Sequence, residues 1–240
     1  MPDRAAIVTG ASRGIGLAIA QALGEEGFAL TLTARKPDTL AATADALRDQ
    51  GFTVQDVPAN LADEDAIRTV VDAHRDTYGR LDVLANNGGL GVGAGFDEHQ
   101  TKYLDMMLDV NVRAMMLFYR ECGELLLAAG AEHQQALVIN TASIAGKSGQ
   151  PWLSAYSATK FAVVGYTQSM NKELGTRGIK SVAFCPGFVD TDMTDFVKDN
   201  VPADKMIKPA DIGEAVKFLL RLSPACVIPE IVFQRPDEIL

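Results

Sequence analysis

The chain has 240 residues, of which 48% are apolar, and this is enough for one large hydrophobic core. Its 31 acidic and 22 basic residues give a net charge of −9, which disfavours nucleic acid and an anionic membrane surface as partners. No apolar stretch approaches the roughly 20 residues of a membrane-spanning helix. No targeting leader precedes the first apolar run. We therefore expect a cytoplasmic protein whose residues 1–240 form a single domain.

Strand and helix patterns alternate along most of this chain. Repeated strand–helix units form right-handed crossovers, so this order predicts an α/β domain with a doubly wound parallel sheet and helices on both faces, the Rossmann fold. Ligands of such sheets bind beyond the carboxyl ends of the strands. We predict strands at 5–8, 27–33, 52–58, 81–85, 136–141 and 179–185, and a strand-like run at the end of the tail 225–233. We predict helices from 17 and at 37–50, 63–78, 103–129, 156–174 and 209–222.

The segment from Thr9 to Gly16 lies between the first predicted strand and the first predicted helix. Gly10 permits a tight turn, Gly14 lets the backbone approach a pyrophosphate, and Gly16 lets the helix pack close to the strand. The N–H groups and the positive dipole at the helix N-terminus would then bind the phosphates. An ordinary glycine-rich turn is the alternative, and the motif alone does not exclude it.

Tyr156 and Lys160 lie four residues apart on a predicted helix and therefore share a face. An ammonium near a phenol favours the phenolate and lowers its pKa from about 10 toward neutrality, where a tyrosine can act as an acid or a base. Ser143 follows a predicted strand end, where its hydroxyl could bond a carbonyl oxygen. A solvated ion–phenol pair is the alternative for Tyr156 and Lys160 taken alone.

Together these motifs resemble the short-chain dehydrogenase/reductase family over nearly the whole chain. The resemblance implies NAD(P)-dependent reduction of a carbonyl or oxidation of an alcohol. It implies that Tyr156 exchanges a proton with the carbonyl oxygen, that Lys160 binds the nicotinamide ribose and lowers the pKa of Tyr156, and that Ser143 polarises the carbonyl. The matching residues are Thr9–Gly16, Asn86–Gly89, Asn111, Ser143, Tyr156, Lys160 and Pro186–Thr191.

The same resemblance assigns the remaining site residues. Asn111 would hold a water in a proton relay, and Pro186 to Thr191 would clasp the nicotinamide carboxamide. Two positions depart from the family pattern: Asn60 stands where Asp is usual, and Gly88 where Ala is usual. The expected cofactor-binding residues are Gly10, Ser12, Arg13, Gly14, Ile15, Gly16, Arg35, Lys36, Asn60, Leu61, Asn87, Gly88, Tyr156, Lys160, Pro186, Gly187, Val189 and Thr191.

The end of the second strand indicates the form of the nucleotide. An NAD site places a carboxylate there, on the ribose hydroxyls. This chain instead has Ala34, followed by Arg35 and Lys36. In the family that it resembles, Arg13 faces the same region, and these cations together suit a 2′-phosphate. We therefore expect NADP(H) in preference to NAD(H); a solvated pair of loop cations is the alternative.

The expected substrate region comprises 91–100, 147–153 and a lid at about 191–206, and its apolar residues could instead be core or lid packing. We expect a free ketone, aldehyde or alcohol as the substrate. The alternatives are a 3-oxoacyl-carrier reductase, for which Arg177 is a basic candidate in a chain of acidic balance, an NAD-linked alcohol dehydrogenase, and a nucleotide-binding sensor without turnover. The apolar residues of the helices at about 103–127 and 158–174 suggest a homodimer or homotetramer.

Cysteine and histidine contribute no metal motif. The three cysteines, Cys122, Cys185 and Cys226, have no ligand spacing, and we expect them to be reduced, small core residues. We expect His74 and His133 on the surface and a structural role for His99. No metal site is predicted.

Overall fold

A computed structural model describes residues 2–236. Its strands form one parallel sheet in the order β3-β2-β1-β4-β5-β6-β7. The order reverses between β1 and β4, so the crevice for a ligand opens at the carboxyl ends of these two strands. The strands are β1 (Ala5–Thr9), β2 (Ala29–Thr33), β3 (Val54–Asp56), β4 (Val83–Asn86), β5 (Ala136–Thr141), β6 (Ile179–Pro186) and β7 (Glu230–Phe233).

Helices cover both faces of the sheet, which confirms the predicted fold class. Neighbouring strand residues point to opposite faces, so Ile7 joins the core under α3, α5 and α6, while Val8 joins the core under α1, α2 and α7. Among residues 2–236, none of the helices has both the length and the apolarity that a membrane crossing requires. The helices are α1 (Gly14–Glu25), α2 (Pro37–Arg48), α3 (Glu64–Tyr78), α4 (Thr101–Leu108), α5 (Ala114–His133), α6 (Ser154–Leu174) and α7 (Pro209–Leu220).

The predicted helix at 103–129 is in fact α4 and α5 joined by a π-helical turn, Asp109–Arg113. Such a turn adds one residue to a helical repeat without altering the apolar pattern enough to be visible in the sequence. Two strand predictions were clearly too long. The strand predicted at 27–33 begins at Ala29, because Gly27 has a φ of 83° in the preceding turn. The strand predicted at 52–58 comprises only Val54–Asp56. The strand-like run expected at the end of 225–233 is β7, which begins after Pro229, a residue with no N–H to donate.

The prediction of a surface position for His74 was wrong, because this side chain is fully buried on α3. It continues the inward-facing row of Ile67, Val71 and Tyr78 at helical spacing. One ring nitrogen lies 2.7 Å from the Thr31 hydroxyl, and the other donates to the carbonyl oxygen of Arg80 at 2.8 Å. Burial lowers the pKa of His74 to about 4, so the ring is neutral at pH 7.

The other histidines and the cysteines fit their surroundings in different ways. His133 is half-buried and donates to the Asp82 carboxylate at 2.9 Å, so the expected surface position holds only in part. His99 contacts the Ser154 hydroxyl at 3.1 Å. Cys122 and Cys185 are buried, as predicted, and Cys226 is half-buried.

Candidate active site

Three glycines shape the turn between β1 and α1. A positive φ angle or a close contact with neighbouring atoms disfavours a side chain at each of them. Gly10 and Gly14 have φ angles of 65° and 55°, a region that favours glycine. A Cβ on Gly10 would lie 2.8 Å from the Cα of Gly88. A Cβ on Gly16 would lie 2.2 Å from the carbonyl oxygen of Gly10. The turn therefore leaves bare backbone at the crevice.

The N-terminus of α1 is suited to an anion. The first N–H groups of an α-helix have no partner within the helix, and the side chain of Arg13 at the N-cap does not cap them. The first turn of α1 also lacks an acidic residue, whereas Asp63 caps α3 through bonds from the N–H groups of Asp65 and Ala66. Because the donors and the dipole of α1 are open, Gly14, Ile15 and Gly16 fit a pyrophosphate. Ser12 borders this turn, and its carbonyl accepts from Thr43 at 3.0 Å.

Thr9 joins β1 to the end of β4. Its buried hydroxyl accepts hydrogen bonds from the N–H of Asn87 at 3.0 Å and of Gly88 at 2.9 Å. A Cβ on Gly88 would lie 2.3 Å from Cδ1 of Leu61, so an alanine at this position would require the end of the Leu61 side chain to move. No separate role was predicted for Thr9 from the sequence, because a threonine at the end of a buried strand is an ordinary feature of a sequence.

The side of the crevice where the sequence predicts the adenine lies after β2 and β3. Asn60 is exposed, with its Oδ1 accepting from the N–H of Ala62 at 3.2 Å, and Leu61 is buried beside it. Ala34 is buried at the end of β2, and Arg35 and Lys36 are exposed. Within residues 2–236, neither of these two cations forms an ion pair with the chain, so both are open to a phosphate.

Arg13 was expected to face the same region as Arg35, and in the structure its side chain has a partner within the chain. Its guanidinium forms an ion pair with Asp192, which begins the short helix Asp192–Val197. Both side chains are more than half exposed, so this pair is weak and open to exchange.

Lys160 is buried on α6, and its Nζ donates to the carbonyl oxygen of Thr141 at 2.7 Å. The same Nζ lies 5.6 Å from the centre of the Tyr156 ring, so the predicted shared face is confirmed. Burial lowers the pKa of the Lys160 ammonium to about 8. The Thr141 carbonyl was missed from the sequence, since a backbone oxygen has no residue signature.

Burial raises the pKa of Tyr156 to about 12, and the neighbouring Ser143 side chain opposes this increase, so two of the predicted catalytic side chains lie close together. The sequence predicted that Lys160 lowers the pKa of Tyr156. In the structure the Lys160 ammonium is held by the Thr141 carbonyl, and burial is the largest influence on the phenol. Ser143 follows β5, and its hydroxyl also accepts from the N–H of Ala145 at 3.1 Å.

Asn111 lies in the π-helical turn with its side chain buried. It accepts from the N–H of Leu90 at 2.9 Å and donates to the Leu90 carbonyl at 2.8 Å. A Cβ on Gly89 would lie 3.3 Å from Oδ1 of Asn111 and 3.5 Å from Nζ of Lys160, so these two groups are neighbours. The structure thus gives Asn111 a direct role in holding the loop after β4.

The segment that follows β6 closes the other side of the crevice. The N–H of Gly187 donates to the Phe233 carbonyl at 2.9 Å, and Val189 is buried in a bridge with Ile207. A Cβ on Gly14 would lie 3.1 Å from Cγ2 of Thr191, so the two walls of the crevice meet there. Pro186 ends β6, at the carboxyl edge where the other site residues lie.

Comparison with known proteins agrees with this fold and site. The short chain dehydrogenase family matches residues 4–202. A Streptomyces virginiae protein named as a ketoacyl reductase of the monensin polyketide synthase is 36% identical over 84% of this chain and 76% of its own. An uncharacterised oxidoreductase of Staphylococcus aureus is 34% identical over 92% of both chains. The chain therefore belongs to the short-chain dehydrogenase/reductase family and is an oxidoreductase acting on CH–OH and C=O groups.

Solved structures show the same architecture. An alcohol dehydrogenase from the archaeon Thermococcus sibiricus, complexed with 5-hydroxy-NADP, has a TM-score of 0.87 and 29% identity, covering 98% of this chain and 99% of its own. A variant of the actinorhodin polyketide ketoreductase with NADPH also has a TM-score of 0.87 and 29% identity, over 95% of both chains.

Proposed function

We propose that this protein is an NADPH-dependent reductase of a ketone or an aldehyde, with Tyr156 as the general acid. The observation that carries this proposal is the cluster of Tyr156, Ser143 and Lys160, in which Nζ of Lys160 lies 5.6 Å from the centre of the Tyr156 ring and Ser143 borders the phenol. When bound, the nucleotide supplies a hydride to the carbonyl carbon. The chain supplies the proton and the groups that orient the carbonyl.

The acid–base chemistry follows from the state of each side chain. With its pKa raised to about 12, Tyr156 is protonated at neutral pH and can donate a proton to a carbonyl oxygen. The Ser143 hydroxyl lies where it can donate to the same oxygen. Lys160 is charged below its pKa of about 8, so it stabilises negative charge on the phenol once the proton has left. Asn111 holds the loop that borders both groups.

The preference for NADPH rests on charge at the end of β2. Exposed Arg35 and Lys36 provide two cations where an NAD site needs a carboxylate. Similar structures that hold NADP or NADPH support this assignment. Gly10 to Gly16, Asn60, Leu61, Asn87, Gly88 and Pro186 to Thr191 complete the proposed nucleotide site.

A 3-oxoacyl thioester is the second candidate substrate, because the relative from Streptomyces virginiae is named as a ketoacyl reductase. The acidic balance of this chain, with a net charge of −9, disfavours docking of an acidic carrier protein. We therefore favour a free carbonyl compound.

Self-association is a further part of the proposal. Leu108 on α4, Met116 on α5 and Phe161 on α6 are large apolar side chains left exposed in one chain. These helices fit a homodimer or homotetramer interface. Light scattering of the wild type and of Phe161→Glu tests this, since the charge should shift the protein toward monomer.

The test of the proposed function combines turnover with nucleotide binding. NADPH oxidation is measured across ketones, aldehydes and a 3-oxoacyl thioester, and Arg35→Ala is titrated with NADPH and NADH. Loss of a charged hydrogen bond should weaken NADPH binding by about tenfold or more while NADH binding stays unchanged. Arg221→Ala is the control, because Arg221 is an exposed arginine that directly follows α7 and pairs with Glu26. Equal losses for both nucleotides would contradict the NADPH assignment, and binding without turnover on any carbonyl would favour a sensor.

A further inference from the structure

Four large apolar side chains of the expected substrate region are exposed. Phe96 is 91% exposed, and Trp152, Met193 and Phe196 are 56%, 53% and 59% exposed. Exposed apolar side chains that cluster beside a catalytic group are typical of ligand-binding surfaces. Of the two alternatives, core packing does not apply to these residues, and packing of the lid stays open.

Trp152 lies next to the catalytic tyrosine. A Cβ on Gly91 would lie 3.2 Å from the Tyr156 ring, and a Cβ on Gly93 would lie 2.4 Å from the Trp152 ring. Two residues of chain span at most about 7 Å, so the same short loop contacts both rings. The N–H of Ala94 donates to the Trp152 carbonyl at 2.9 Å and fixes the loop to this residue.

The backbone of Trp152 is strained, and this strain directs the indole. Its φ is 66°, in the left-handed region that side chains other than glycine and asparagine rarely adopt. Such a conformation costs on the order of 1 kcal/mol or more and is concentrated at functional sites. Because the indole is more than half exposed, its burial offsets little of this conformational free energy. Stability alone therefore does not account for a tryptophan at this position.

The second ring comes from the segment after Thr191. Phe196 lies on the short helix Asp192–Val197, and its ring centre is 6.1 Å from that of Trp152, at an angle of 51°. Thr191 and Thr194 form a capping box that fixes the start of this helix. Two independent segments thus bring two aromatic rings together, and one of these rings borders the loop that also contacts Tyr156.

The charges of this short helix are already paired. Asp192 pairs with Arg13, and Asp195 pairs with Lys198 at 2.6 Å. The helix therefore presents its apolar side chains to a ligand without a free charge, and this favours a neutral apolar group over an anionic or cationic one.

We infer that Trp152 and Phe196 form an aromatic clamp, and that the substrates are neutral carbonyl compounds with a flat apolar ring next to the carbonyl. This inference rests on the proposed reductase function and names its substrate class. Because the rings of Trp152 and Phe196 contact each other, the clamp holds the substrate ring against their exposed faces by stacking and burial, while Tyr156 and Ser143 engage the oxygen. Met193 adds a flexible apolar contact on the same helix.

The test uses cyclohexanone and 2-tetralone, which differ by a fused benzene ring that is not conjugated to the carbonyl. Burial of this ring should raise kcat/KM for 2-tetralone by about fiftyfold over cyclohexanone, mainly through KM. Trp152→Ala and Phe196→Ala should each reduce that ratio by about fivefold, and Trp152→Phe should restore most of it. Phe218→Ala, an equally exposed phenylalanine on α7, is the matched control and should leave the ratio unchanged. A ratio near one in the wild type, or a ratio insensitive to both clamp variants, overturns the clamp.

Fluorescence separates failure of the clamp from failure of the proposed function. Trp152 is the only tryptophan of the chain, so its emission reports the clamp directly. With NADP⁺ present, 2-tetralone should quench this emission, and Phe196→Ala should raise the Kd about fivefold. Quenching without NADPH-dependent turnover supports the clamp and overturns the reductase function. Equal turnover of both ketones without quenching overturns the clamp and leaves the reductase function in place.

Discussion

Arg13 in the glycine turn forms an ion pair with Asp192, which lies 179 positions further along the chain. The pair joins the proposed phosphate site to the short helix that carries Phe196. Because both side chains are largely exposed, the pair itself adds little to stability. The carboxylate of Asp192 therefore competes with a 2′-phosphate for the guanidinium of Arg13.

The first prediction follows from this competition. In Asp192→Asn the Arg13 guanidinium is released, so the Kd for NADPH should fall by about threefold, the size of an exposed ion pair. The Kd for NADH should not change, because NADH has no 2′-phosphate. Fluorescence titration with both nucleotides measures this. Asp195→Asn, which removes a paired carboxylate from the same helix, is the control; an equal gain for NADH would show that Arg13 is not involved.

The second prediction concerns pH and Lys160. Burial lowers the pKa of Lys160 to about 8 and raises that of Tyr156 to about 12, so Lys160 loses its proton first as the pH rises. Since kcat/KM for NADPH reports the enzyme before the nucleotide binds, it should fall above about pH 8. Lys160→Arg keeps a charge to much higher pH and should move this decline beyond the measured range. A decline at the same pH in both proteins would assign it to another group.

The third prediction concerns acid stability. The pKa of buried His74 is about 4 against an ordinary value of 6.5, so the folded state binds fewer protons than the unfolded state between these pH values. Its contribution is complete above pH 6.5 and is lost as the pH falls through about 4, a change of about 3 kcal/mol. Urea unfolding of the wild type and of His74→Gln, at neutral and acid pH, measures it. The variant should lose less stability on acidification; parallel losses would contradict the assignment.

The fourth prediction concerns the packing of Gly88 against Leu61. A methyl group at Gly88 would meet Cδ1 of Leu61 at 2.3 Å, so Gly88→Ala should cost about 1–2 kcal/mol of unfolding free energy. In the double variant Gly88→Ala with Leu61→Ala, this cost should be much smaller, as a double-mutant cycle would show. Gly123→Ala on α5, where no atom lies within 4 Å of the added carbon, is the control and should not destabilise. Additive effects at Gly88 and Leu61 would contradict direct contact.

The parts of the site that the sequence predicted are those fixed by local spacing. The turn needs glycine at Gly10, Gly14 and Gly16 because of its backbone conformation and close contacts. A spacing of four residues on one helix places Tyr156 beside Lys160. The parts it missed depend on contacts between distant segments. The carbonyl of Thr141 binds Lys160 without any residue preference, and the pairing of Arg13 with Asp192 depends on where the chain returns. His74 was predicted on the surface because histidine is polar, although the helical spacing of its apolar neighbours places it on the buried face of α3.

In the proposed reaction, the nucleotide gives a hydride to the carbonyl carbon while Tyr156 donates the proton to the oxygen. Isotope transfer from NADPH deuterated on the reactive face of its nicotinamide tests both halves of this reaction, with 2-tetralone, the wild type and Tyr156→Phe. We expect deuterium on the carbinol carbon with the wild type. In Tyr156→Phe the rate should fall on the order of a thousandfold while NADPH binding is retained. Transfer at an unchanged rate in Tyr156→Phe would rule out Tyr156 as the proton donor, and an alcohol without deuterium from the wild type would rule out hydride transfer from NADPH.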